Sequence, residues 1–147
     1  MIDRNGEIID GNATDSFPVS GLVGAIAKDP LIRGKLCPLA EQSPNTDLIV
    51  RALRSGSIAD IPLERWEAVK QHHVDEWWTQ IKSYLLKAHG STLQSVANVI
   101  FTGGGTELIR DRLPQQFLSP KQPQSASVRG MYAHYHTQLA NGVVKVG

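Results

Sequence analysis

The stretch "VIFTGGGTELIRDRL" (residues 99–113) decides how the rest of the chain is read. An apolar run stops at three consecutive glycines, and a helical pattern starts at once. The run "SVANVIFT" (residues 95–102) is too apolar for a half-exposed strand, so it is expected as a buried strand of a mixed or parallel sheet. The helix that follows would turn its unpaired first N–H groups, and the positive end of its dipole, outward at the carboxyl end of that strand. Three missing Cβ atoms would let a phosphate or a ribose rest on bare main chain. Such a turn is a ready anion site, and Glu107 near the helix start fits a cap or an acceptor for a ribose hydroxyl. The competing reading is a tight turn in which glycine only supplies unusual φ and ψ. The triplet matches neither the dinucleotide fingerprint nor the P-loop lysine motif.

Upstream, "GEIIDG" (residues 6–11) reads as a short strand, the second arm of a hairpin or a sheet edge. Val19, Leu22, Val23 and Ile26 recur at helical spacing, and a new helix starts where Asp29 caps and Pro30 takes the first position. Cys37-Pro38 closes that helix. A loop over residues 40–45 leads to a short helix carrying Leu48, Ile49, Ala52 and Leu53, which "SGS" (residues 55–57) breaks. The longest regular pattern follows. Leu63, Trp66, Val69, His73 or Val74, Trp77, Ile81, Tyr84, Leu85 and Ala88 form a continuous stripe, with Pro62 near its start and Gly90 as its stop. Downstream of the glycines come a helix to about Leu113, a short strand with a proline-bearing loop, and a last helix with Met131, Tyr132 and Tyr135 on its apolar side. Strands alternating with helices make the expected class α/β.

Other clusters carry weaker signals. His72, His73, Asp75 and Glu76 have spacings that fit a metal, and His72 and Glu76 share a helix face. The wet side of a long helix displays such residues without any ion, and no metal site is assigned. Trp66 and Trp77 continue the stripe and are expected in the core, which leaves Trp78 as an exposed contact residue. His134 and His136 read as helix surface. Asn12 lies in a glycosylation sequon that has no meaning without a secretory signal, and Asp10-Gly11 lacks the spacing of a phosphate loop.

Composition bounds the function. The 147 residues, 41% hydrophobic and 20% charged, fit one globular domain. Fifteen basic against fourteen acidic residues argue against direct nucleic-acid binding through bulk charge. The single cysteine, Cys37, fits a reducing compartment. The charged N-terminus lacks a secretory apolar region, and no apolar run approaches the ~20 residues that span a bilayer. A cytoplasmic protein without membrane contact is expected.

Two segments, "VIFTGGGTELIRDRL" and "ASVRGMYAHY" (residues 126–135), together resemble the C-terminal end of actin-like ATPases of the ParM plasmid-segregation type. The resemblance is specific over residues 96–132 and looser over residues 6–36. It implies a partial actin-like, ribonuclease H-like domain: a mixed sheet with flanking helices, a helical insertion at about 37–62, and a glycine-turn core over 96–135. It also implies that residues 1–147 form most of a second domain, starting at an internal methionine. Gly103, Gly104 and Gly105 would contact ATP or ADP, with Thr106 and Glu107 beside the nucleoside and Arg51 or Arg54 near the base or ribose. The family's phosphate loops and Mg²⁺ ligands have no counterpart in this chain, so ATP hydrolysis is not expected of it alone. Implied partners are a second copy, the absent N-terminal half and a segregation adaptor, with filaments formed only in the joined protein. The alternative is a free-standing, non-catalytic α/β protein-interaction module.

Overall fold

Leu22, Val23, Ile26 and Ala27, spaced for one helix face, form the buried side of α1 (Val19–Lys28). The chain turns at Asp29, whose Oδ1 accepts the Leu31 N–H at 2.8 Å, and Pro30 opens α2 (Pro30–Leu36). Both residues sit where the sequence places them. The computed structural model describes residues 17–37, 44–58, 60–96 and 98–140; the strand expected over 6–11, the loop over 40–43, and Asp10 and Asn12 lie outside them. Helix α3 (Thr46–Ser55) starts at Asn45, whose side chain accepts the Asp47 N–H at 2.9 Å, and ends at Gly56 with φ +80°. That left-handed residue is the glycine of "SGS", where other side chains are strained. Ile49 and Ala52 of α3 are buried in the same core as α1, against which the helix packs.

Helix α4 (Leu63–Ser95) is the long element, and it buries Trp66, Val74, Trp77 and Trp78. Leu63, the first member of the expected stripe, is instead exposed. Helical geometry breaks at His89 (φ −133°, ψ 17°), one residue before the glycine expected to stop it, and a last segment continues to Ser95. Phe17 meets Tyr84 edge to face at 5.4 Å, tying the start of the described chain to the far half of α4.

The C-terminal part is a β–turn–helix–β unit. Strand β1 (Val99–Ile100) pairs in parallel with β2 (Phe117–Leu118), and Val99 N–H donates to Gln116 O at 2.9 Å while Phe101 N–H donates to Leu118 O at 2.8 Å. Between them lie the glycine turn, α5 (Thr106–Ile109) and a 3₁₀ turn (Arg110–Arg112). The last helix, α6 (Pro123–Ala140), follows a proline-bearing loop as expected.

The expected fold class is corrected here. Helix occupies 73% of the described residues, and their sheet has two parallel strands of two residues each, not the mixed sheet with flanking helices of an actin-like domain. The run "SVANVIFT" is mostly not strand: Ser95 ends α4, and Ile100 is 66% exposed instead of buried. With only one partner strand among the described residues there is no second sheet face to bury, so the core is assembled from helices. Among the described residues, no helix is long and apolar enough to cross a membrane.

Because α3 contributes fully buried side chains to the shared core, Ile49→Ala is expected to lower stability by about 2–5 kcal/mol, read as a lower denaturant midpoint with an unchanged slope.

Candidate functional site

The three glycines do different work. Gly103 has φ +93°, its N–H donates to Pro123 O at 2.7 Å, and its carbonyl accepts the Thr106 N–H at 3.2 Å. Gly105 is where something comes close: a Cβ there would lie 2.7 Å from Trp77 Cη2 and 2.9 Å from Val19 Cγ2. The close neighbour at this position is the indole of α4. A Cβ at Gly103 would meet nothing within 4 Å, and one at Gly104 would make only ordinary contact with the Gln124 side chain at 3.7 Å. Thr106 is buried, with its hydroxyl donating to Thr102 O at 3.0 Å, so it closes the turn from within. Glu107 is exposed and pairs with Arg110 at 3.0 Å. Helix α5 has four residues, too few for a strong dipole at its start.

Beside Gly104 lies an open hollow of about 630 Å³. Val19, Val50, Leu53 and Leu108 form its apolar walls. Its polar border is Arg54, Glu107 and Gln124. Of the two arginines considered from the sequence, Arg54 reaches this hollow, whereas Arg51 turns back on its own helix, its Nε donating to Asp47 O at 3.4 Å. Sequence reading missed Val50, Leu53 and Gln124, because nothing local to α3 or α6 signals that both approach the glycine turn.

The C-terminal unit is fastened to α4 by polar and aromatic contacts. Arg112 donates from Nε to Asp75 Oδ1 at 2.6 Å, from one terminal nitrogen to Leu108 O at 3.1 Å, and from the other to Gln71 Oε1. Asp75 is thereby drawn away from the histidines beside it in sequence. Trp78, expected as an exposed contact, is buried: its ring meets Phe101 at 5.7 Å and Phe117 at 6.5 Å, both edge to face. His72, His73 and Glu76 do come together, while His134 and His136 stand on the exposed surface of α6.

The opposite situation holds on α6. Pro123 is fully buried, and the helix packs on α5 through its first turns. Val128, Met131, Tyr132 and Tyr135, at i, i+3, i+4 and i+7, are 46–66% exposed. The side expected to be apolar is thus left uncovered by the described residues.

No family model, curated protein or solved structure matches this chain. The ParM-type resemblance therefore rests on its two short segments, and the helical core removes the architecture it implied.

Separate roles for the glycines give separable outcomes. Gly105→Ala is expected to cost about 1–3 kcal/mol by overpacking Trp77. Gly103→Ala is expected to cost more than about 1 kcal/mol through its positive φ, and Gly104→Ala to stay within about 0.5 kcal/mol. Equilibrium unfolding of the three variants checks the order.

Proposed function

We propose that this chain is a non-catalytic protein-interaction module that self-associates through α6. The observation that carries the reading is the mismatch between the length of α6 and its support. Isolated helices shorter than about 12–15 residues are marginal in water even with good helix formers, and the run of α6 without cover among the described residues, Val128 to Thr137, is of that size. This one contains Val128, Gly130 and Thr137 and, as its only Lys, Arg, Asp or Glu, Arg129, so intrinsic propensity and side-chain pairing hold it weakly. From Val128 to Thr137 every residue is exposed. Such a helix gains its stability from packing, and its four large apolar side chains are the surface available for it.

The occupant is a second copy of the chain. The stripe itself carries no charge, and a formal net charge of +1 sets up little repulsion between copies. The face opposite the stripe presents Ala126, Gly130 and Ala133, small residues that leave the bulky edge as the feature to be matched. Two α6 helices related by a twofold axis would set Met131 and Tyr132 of one against the same residues of the other, an isologous contact. Sedimentation velocity over a dilution series is expected to give a dimer that dissociates on dilution, and Met131→Glu with Tyr135→Glu is expected to give a monomer at every concentration. A monomer for the unaltered chain at its highest soluble concentration, with α6 fully helical, refutes the reading. A complex formed only with a different protein also removes the second copy as occupant.

A second reading has its own observation, the hollow beside Gly104. Apolar walls with a few polar groups on the border, in a space of about 630 Å³, suit a small ligand. ATP or ADP, with or without Mg²⁺, is the ligand this reading supplies, the ring against Val50 and Leu53 and the phosphates near Arg54. Titration with labelled ADP tests it: Arg54→Ala is expected to weaken binding about tenfold or more, the value of one charged hydrogen bond. Binding unaffected by Arg54→Ala and Gly104→Asp, or no binding, rejects it.

A further inference from the structure

We propose that His72, His73 and Glu76 form a site for a divalent transition-metal ion of the zinc class, with Asp29 as the positioning residue behind His73. The three side chains bring one ligand atom each to within 4.8 Å of one another. His72 Nε2 lies 3.5 Å from Glu76 Oε1, and His73 Nδ1 lies 3.7 Å from Glu76 Oε2. Bonds of about 2.0–2.2 Å to a tetrahedral zinc place ligand atoms about 3.3–3.6 Å apart, so small rotations of the exposed His72 and Glu76 complete the set.

The decisive feature is His73. Its ring is 12% exposed, and its Nε2 is 3.2 Å from Asp29 Oδ2, across the junction of α1 and α2. A carboxylate oxygen accepts, so the Nε2–H tautomer is the one that satisfies this contact, and that tautomer turns the Nδ1 lone pair the other way. That Nδ1 is buried and has no hydrogen-bond partner, an unsatisfied polar atom aimed at Glu76. A carboxylate holding the far nitrogen of a ligating histidine is the usual outer support of a metal site, fixing both tautomer and ring angle. Asp29 is itself fixed, because its other oxygen caps α2. A hollow of about 280 Å³ bordered by His73, Glu76, Phe17, Leu22 and Gln80 adjoins the group and leaves room for a water ligand in the fourth position. Asp75 does not belong to the set, since Arg112 holds it.

The test uses the purified chain, free of any affinity tag and stripped with a chelator, titrated calorimetrically with Zn²⁺ alone. One ion per chain is expected. His72→Ala and Glu76→Gln, both exposed and outside the core, are each expected to weaken binding at least about tenfold with unchanged circular dichroism, and Asp29→Asn about 10–100-fold. His134→Ala serves as the control and leaves binding unchanged. Imidazole ¹⁵N spectra supply the readout that a merely structural role would not move: on adding Zn²⁺ the His73 Nδ1 resonance shifts while Nε2 keeps its proton. Absence of saturable binding, binding indifferent to His72→Ala and Glu76→Gln, or coordination through His73 Nε2 overturns the proposal.

Discussion

The indole of Trp77 occupies the space where any residue but glycine at position 105 would put its side chain, 2.7 Å from a Cβ. This close approach fixes how the C-terminal unit sits on the helical core. Val19 of α1 presses on the same point from the other side, so the glycine is clamped where α1, α4 and α5 meet. The remaining fastenings repeat the pattern on either side of it. Arg112 ties the 3₁₀ turn to Asp75 and Gln71, and Trp78 lies against Phe101 and Phe117 beside the two short strands. Because α4 supplies Trp77, Trp78, Asp75 and Gln71 to these contacts, the helix acts as the post to which both halves of the chain are attached. A closely packed interior tolerates little adjustment at such a point.

That clamp also governs what the glycine turn offers to solvent. With Gly105 sealed by Trp77 and the Gly103 N–H spent on a backbone bond to Pro123, the exposed main chain of the turn is at Gly104. The start of α6 is fastened to the same turn through Pro123, and Gln124 stands against Gly104. The hollow and the uncovered helix are therefore neighbours that share a joint. A ligand in the hollow would meet the Gln124 side chain, which lines it from the first turn of α6.

Much of the local structure was legible in the residues. Asp29-Pro30, Gly56 and Pro62 mark helix ends through rules that need only a few neighbouring residues, and each stands where it was expected, while the cap at Asn45 was read only as the end of a loop. The short strand after the glycines and the last helix were equally local. Tertiary facts were not. Trp78 follows Trp77, about 100° around the helix, so a single-stripe reading puts it outside the core. It is buried because a second body, carrying Phe101 and Phe117, covers that flank. The apolar run before the glycines could not reveal how many strands would pair with it, and periodicity does not count partners. The glycine triplet announced a close approach without naming what approaches. In the His72–Glu76 cluster the helical spacing was visible, but Asp29, 44 residues away in sequence from His73, was not.

Helix α6 brings the local and the tertiary together. Ordering a backbone residue costs about 1–2 kcal/mol, and within a helix the return is one hydrogen bond per residue, nearly balanced for good formers. Residues such as Gly130 and Thr137 tilt that balance toward the unfolded side by up to about 1 kcal/mol each. Tertiary packing offsets this over the first turns, where Pro123 is buried and Gly103 bonds to its carbonyl. Beyond Val128 no described residue covers the stripe. Burying a side chain the size of Met131 or Val128 contributes about 1.5–3 kcal/mol, enough for a few such contacts to decide whether this half of the helix persists. Under the self-association proposed above, helix formation there and association would be one equilibrium, and the structure of the last two turns would depend on protein concentration.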